Sequence, residues 1–353
     1  MSLEREDGID AVRSADFEGA ANLEREHIIR PSAVFLMNPA SLVADLFTSA
    51  MLDELQTLVD IDPSSVVSRT EEAVEQLQHA EIAIGGWGAP RLSPHDAPAL
   101  RGLVYLGGVA ALCLDDPSAW AQRGLIAANA RSINAGPVAE YALAMILLDG
   151  KDSFAAERAY REHPEAPAAA RRGVAGNHRR TIGIVGLSQV ARLLVARLRT
   201  FDFDIVAFSP ELTPELAAEV GVRAATLAEV MTQSDVVSLH QPLIPATVGQ
   251  IDARMLSLLR DGATLLNTAR GAVVDQEALV GELRTGRIRA ILDVTDPEPL
   301  PPGHELWSLP NVVLTPHIAG SLGGELHRMG ENAVDEVRRF VAAEPFRYPE
   351  PLS

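Results

Sequence analysis

The sequence predicts an α/β protein made of two doubly wound parallel sheets, and two observations carry that prediction. Short β-branched runs alternate with segments of helical apolar spacing along most of the chain, the order that puts helices on both faces of a parallel sheet. The chain has 353 residues, enough for two cores of ordinary domain size.

The elements follow in order. Residues 1–30 are charged and weakly periodic, and are expected to form an extension or one surface helix. A strand at 33–37 leads to a helix over 41–58, with Leu42, Leu46, Met51, Leu55 and Leu58 on its apolar side. A strand at Val66 and Val67, a helix over 71–78 and strands at 82–84 and 103–106 continue the alternation. Active residues in such sheets lie at the carboxyl ends of strands; here those are the loops Gly85, Gly86, Trp87, Gly88 and Gly107, Gly108, Val109. A helix over 137–148, opened by Gly136 and Pro137, is apolar on most sides through Ala139, Tyr141, Leu143 and Met145. Such a helix is normally buried, here between domains or against a second subunit. Residues 155–180, rich in Arg, Ala and Pro, read as a surface excursion.

Residues 181–191 read TIGIVGLSQVA. The apolar run 181–185 makes a buried strand, Gly186 breaks it, and Val190, Leu193, Leu194, Arg197 and Leu198 have helical spacing. With a second strand at 205–208 this closes a βαβ unit, the setting in which a glycine-rich turn and a helix N-terminus hold a pyrophosphate. The residues of the turn are Gly186, Leu187, Ser188, Gln189 and Val190, followed by Ala191 in the third small position. Ser188 stands where a second glycine is usual, and Ser209 ends the second strand where an acidic residue would hold a ribose hydroxyl. No Arg replaces Ser209 and Glu211 repels a 2′-phosphate, so neither NAD nor NADP is strongly selected. Strands near Val222, at 236–240, 263–267, 290–293 and 312–315, with helices over 227–233, 253–260 and 276–285, complete a seven-stranded Rossmann-type domain. Asp275 is the expected N-cap of the last of these helices. A final helix over 324–341 is expected to return to the smaller, flavodoxin-like first domain. The predicted division is 1–132 with 319–353 as substrate domain, and 133–318 as dinucleotide-binding domain. Hinges between them are expected over 129–136 and 319–323.

Composition narrows the partners. A net charge of −18 disfavours nucleic acid and anionic membrane surfaces, which need clustered cations. Cys113 is the single cysteine, so no intramolecular disulfide forms and an intracellular location is expected. No run approaches the length of a membrane span, and the acidic N-terminus lacks the order of a signal peptide. The expected location is cytoplasmic.

Four polar segments fall at the carboxyl ends of successive strands: Ser238, His240, Gln241 and Pro242; Asn267, Thr268, Ala269 and Arg270; Asp293 with Glu298; and Thr315 with His317. Beside a dinucleotide loop they converge on one cleft. With Val138, Ala139 and Glu140, the motifs SDVVSLHQPL (234–243), LLNTARGAVVD (265–275), LDV with EP (292–299) and LPNVVLTPHIAG (309–320) resemble those of the D-isomer-specific 2-hydroxyacid dehydrogenases. The resemblance covers the second domain closely and the first loosely. It implies Arg270, Glu298 and His317 as the catalytic set, with His317 as acid/base, Glu298 orienting its ring, and Arg270 clamping the substrate. It further implies Asp293 near the nicotinamide, His240 lining the cleft, cofactor contacts from Pro242 and Thr268 beside Ala269, and a homodimer. Trp87, Gly107 and Gly108 take the substrate end, although the loop LGGVAALCLD (106–115) is more apolar than the family's usual Gly-x-Gly-x-Asp pattern. No metal is implied. The expected activity is NAD(H)-dependent interconversion of a D-2-hydroxy acid and its 2-keto acid. The alternatives are a cofactor-sensing protein on the same fold, which the altered glycine loop favours, and phosphite or formate oxidation; Glu298 speaks against the formate enzymes, which use Gln there.

Overall fold

The protein, as a computed structural model, is described over residues 30–165 and 176–352; the predicted N-terminal extension lies outside them. The first half holds β1 (Ala33–Leu36), α1 (Leu42–Leu46), α2 (Ser49–Leu58), β2 (Val66–Val67), α3 (Val74–His79), β3 (Ile82–Gly85), β4 (Gly102–Tyr105), α4 (Pro117–Gln122) and β5 (Ile126–Asn129). Its strands pair in parallel in the order β2-β1-β3-β4-β5. Next come α5 (Arg131–Asp149), α6 (Ser153–Glu162), β6 (Thr181–Val185), α7 (Gln189–Leu198), β7 (Asp204–Phe208), α8 (Pro214–Val220) and β8 (Arg223–Ala224). They are followed by α9 (Leu227–Gln233), β9 (Val236–Leu239), α10 (Ala253–Ser257), β10 (Thr264–Asn267), α11 (Gln276–Arg284), β11 (Arg289–Leu292), β12 (Val312–Leu314) and α12 (Leu326–Val341). The seven strands from β6 onward form a second sheet in the order β12-β11-β10-β9-β6-β7-β8, again with parallel pairing. Strand order reverses between β1 and β3 in one sheet and between β6 and β9 in the other, the places where parallel sheets open a crevice for ligands.

The last helix returns to the first sheet, as the sequence implied. Met329, Ala333, Val334 and Val337 of α12 join Phe35, Leu46 and Ile84 in one apolar cluster. Gly330 permits that approach, since a Cβ there would lie 2.1 Å from the Leu46 carbonyl oxygen. Helix α5 spans both halves: its Ile133 packs on this first core, and its Ala139, Ala142 and Ile146 pack with Ile182, Ile184 and Leu194 of the second.

Several elements differ from the sequence prediction. The helix expected over 41–58 is broken at Phe47, which is extended, and α2 restarts with the Thr48 side chain accepting from Met51 N. The buried Leu46 and Phe47 explain why an apolar count ran through the break. Helix α5 starts at Arg131 and carries Pro137 inside it, so the glycine and proline read as a start lie within the helix. The helix thus takes in residues 131–136 of the segment expected as a hinge and leaves Asn129 and Ala130 outside it. Strand β5, of sequence IAAN, went unpredicted because its small residues carry little β propensity. Helices α4 and α8 form where no helix is expected; each carries an N-cap, Asp116 and Thr213, and a proline at its first turn. The excursion read at 155–180 begins with α6, which buries none of its residues.

Candidate functional site

Strands β6, β9, β10, β11 and β12 deliver the candidate residues to one edge of the second sheet. Neighbouring β9, β10 and β11 are in register at their carboxyl ends, Leu239 beside Asn267 and Asn267 beside Leu292. Gly186 leaves β6 with φ 88°, and a Cβ on it would lie 2.6 Å from Gln241 N. Only glycine permits both the conformation and that contact. The following turn fits a dinucleotide. No backbone N–H of Ser188, Gln189 or Val190 donates to another described residue, and these groups sit at the positive end of α7. Thr268 adds a buried hydroxyl without a partner on the same edge.

The two departures from the glycine pattern have structural uses. Ser188 is the N-cap of α7, its hydroxyl accepting from Ala191 N at 3.4 Å. Ser209 is buried and accepts from Leu187 N at 3.2 Å, turning onto the loop rather than outward. The cap uses the Ser188 hydroxyl only as an acceptor, so its proton stays free to donate.

Glu298 and His317 meet, with Glu298 Oε1 2.7 Å from His317 Nδ1 and both side chains half exposed. A proton on Nδ1, donated to the carboxylate, leaves Nε2 as the free ring nitrogen. The backbone at His317 is left-handed, φ 55°, a conformation that costs a non-glycine residue about 1–3 kcal/mol unless the surroundings enforce it. Asp293 enforces it. Its carbonyl accepts from His317 N at 3.0 Å, and its carboxylate accepts from Ile318 N and Ala319 N at 2.9 Å each and from the Thr315 hydroxyl at 2.6 Å. Tyr141 of α5 closes the chain with its hydroxyl 2.6 Å from that of Thr315. Asp293 is thus 2% exposed and committed to the histidine loop. A role beside the nicotinamide was expected of it; holding His317 was not legible, because it depends on backbone groups that no motif records.

Arg270 is exposed and has no carboxylate partner among the described residues; its Nη1 donates to Ala269 O. Gly271 brings it beside the Glu298 loop, for a Cβ on Gly271 would lie 2.0 Å from Thr295 O. The sequence places Gly271 in the motif 265–275 beside Arg270, but a glycine after a polar residue carries no signal of close packing.

In the first half, Trp87 is partly exposed. Trp87 N lies 3.2 Å from the position a Gly107 Cβ would occupy, which joins the two loops expected to take substrate. Gly108 has φ 119°, and the N–H groups of Gly107, Gly108 and Val109 find no acceptor among the described residues. Cys113, just beyond, is buried, and burial pushes its thiol up to about 12. A separate cavity of about 410 Å³ lies at the amino ends of β11 and β12, lined by Asp149, Arg158 and Arg289, away from this chemistry.

His240 departs from the expectation that it lines the open cleft. It is 5% exposed and its Nε2 lies 2.8 Å from Ser238 Oγ. Burial lowers its pKa from the ordinary 6.5 to about 4. Between those values the unfolded chain binds the proton and the folded one does not, so stability falls as pH drops from about 6.5 toward 4, by about 3 kcal/mol at the lower end. Urea midpoints at pH 7 and pH 4.5 should therefore fall further for the parent than for His240→Gln; equal losses would refute the assignment.

Residues 143–319 match the family described as D-isomer specific 2-hydroxyacid dehydrogenase, NAD binding domain. The chain is 34% identical over 251 residues to D-3-phosphoglycerate dehydrogenase of Mycobacterium bovis, covering 70% of this chain and 46% of that protein, so it spans about half the length of that relative. It is 32% identical over 226 residues to glyoxylate reductase of Korarchaeum cryptofilum, covering 63% of this chain and 68% of the relative. Among solved structures, a Thermus thermophilus protein superposes with a TM-score of 0.72 at 29% identity, covering 90% of this chain and 99% of that one. No helix among the described residues is long and apolar enough to cross a membrane. The two parallel sheets agree with these matches: the chain belongs to the D-isomer-specific 2-hydroxyacid dehydrogenases, with residues 143–319 forming the family's NAD-binding domain.

Proposed function

We propose that this protein is an NAD(H)-dependent oxidoreductase interconverting a D-2-hydroxy acid and its 2-keto acid in the cytoplasm, as a homodimer associating through α5. The observation that carries the reading is the contact of 2.7 Å between His317 and Glu298 on the edge that also bears Arg270. The domains are 1–132 with 319–353 for substrate and 133–318 for cofactor. The cofactor would be held by the turn 186–190 with Pro242, Thr268 and Ala269 beside it, buried Ser209, His240 and Asp293 supporting that surface from within, and would supply the hydride acceptor or donor. In the oxidative direction His317 Nε2 takes the proton of the substrate hydroxyl, and Glu298 stabilises the imidazolium that results. Arg270 grips carboxylate and carbonyl oxygens together and opposes the charge developing on the oxygen in reduction. The N–H groups of Gly107, Gly108 and Val109 receive the substrate carboxylate, with Trp87 beside them. Closing the two halves excludes water, with Asn129 and Ala130 and the 319–323 segment as hinges.

NADH is the expected cofactor over NADPH. Ser209 is buried and accepts from Leu187 N, no Arg lies in 209–213, and the exposed Glu211 repels a 2′-phosphate. The test is oxidation of NADH, and separately NADPH, at 340 nm with glyoxylate, hydroxypyruvate, pyruvate and bulkier 2-keto acids, and reduction of NAD with D-3-phosphoglycerate. Turnover with NADH at least tenfold above NADPH is expected. Silence across the panel with NADH still binding would sink the enzymatic reading in favour of a cofactor-sensing role.

A further inference from the structure

A buried carboxylate from the far end of the chain sits beneath the loop that takes the substrate. Glu350 lies in the C-terminal tail, which pairs antiparallel with β5 through Ala128 and Pro349 and donates from Glu350 N to Ala127 O at 2.8 Å. Its side chain is 4% exposed. Oε1 accepts from Ala111 N at 3.3 Å, in the helical turn Ala110–Cys113 that directly follows Gly107, Gly108 and Val109. Oε2 accepts from Asn129 Nδ2 at 2.8 Å, and Asn129 Oδ1 in turn accepts from Arg131 N, the first residue of α5. The Arg131 guanidinium, 3.7 Å from Oε2, balances the charge. One carboxylate therefore ties the substrate loop to the residue where the chain leaves the first sheet for the interdomain helix.

We propose that Glu350 is a positioning residue for substrate: it fixes the N–H groups at 107–109 in the arrangement that receives the substrate carboxylate, and it links that arrangement to the hinge. The proposal rests on the 2-hydroxy acid reading above. The tail does not depend on Glu350 for its own attachment, because buried Glu336 accepts from Arg347 N and Tyr348 N at 2.8 Å each, and Asn129 N donates to Tyr348 O at 3.1 Å. The grip on a carboxylate is the same in ground and transition states, so its loss raises KM more than it lowers kcat.

The experiment compares the full-length parent with Glu350→Ala and Glu350→Gln, using NADH and the best 2-keto acid of the panel. Alanine should raise KM about tenfold, the worth of one charge-assisted hydrogen bond, with kcat and NADH affinity within about twofold of the parent. Glutamine, which retains an acceptor for Ala111 N, should recover most of the KM. Amide exchange in residues 107–113 should quicken in the alanine variant. An unchanged KM, or KM, kcat and NADH affinity worsening together with melting temperature, would overturn the proposal. A parent silent with all substrates would defeat the 2-hydroxy acid reading alone; exchange in 107–113 then decides on the brace, and unchanged exchange overturns it. If the alanine variant does not fold, Glu350→Asp, one methylene short of Ala111, takes its place under the same criteria.

Discussion

Replacing His317 with alanine is expected to lower kcat by about 10²–10⁴-fold, the usual contribution of a positioned acid/base, while NADH affinity stays near that of the parent. The reason lies in how the ring is held. Glu298 takes one nitrogen, and the Asp293 carbonyl and carboxylate hold the left-handed backbone, so the other nitrogen is the group left to move a proton. Glu298→Gln should cost less than His317→Ala, because the amide still orients the ring through its oxygen and loses only the charge that favours imidazolium. The pair is read by kcat and by NADH binding measured through fluorescence. Near-parent turnover in His317→Ala would remove His317 from the mechanism.

Arg270→Ala carries the second large effect. One guanidinium serves both the substrate carboxylate and the reacting oxygen, so its loss should raise KM and lower kcat together, with kcat/KM falling about 10²–10³-fold. Lysine should restore only a small part of this, since a point charge cannot make the paired contact of a planar fork. Arg270 has no carboxylate partner among the described residues, so little stability is at stake and the melting temperature should hold. A selective loss of KM with intact kcat would reduce Arg270 to a binding residue.

Much of this was legible in the chain. Alternating β-branched runs and helical spacing predict two parallel sheets, and all seven strands of the second are expected near where they form; for the buried ones this is because such strands are short continuous apolar runs, while β8 is an exposed edge strand. The substituted positions Ser188 and Ser209 were visible as departures, but their roles were not: each satisfies a backbone N–H that only the folded turn exposes. Strand β5, the break at Phe47 and the start of α5 at Arg131 were misjudged where neighbours overrode local propensity.

The sequence by itself determined the order of the elements, the glycine loop and the residue types of the candidate site, since spacing and side-chain chemistry are local properties. Only the tertiary structure decided that Asp293 is buried in the service of His317, that Gly271 lies against Thr295, that His240 turns inward, and that Glu350 sits under a loop 239 residues earlier. Those facts depend on which backbone donors and carbonyls the fold brings within hydrogen-bonding reach, a distance that no periodicity along the chain encodes.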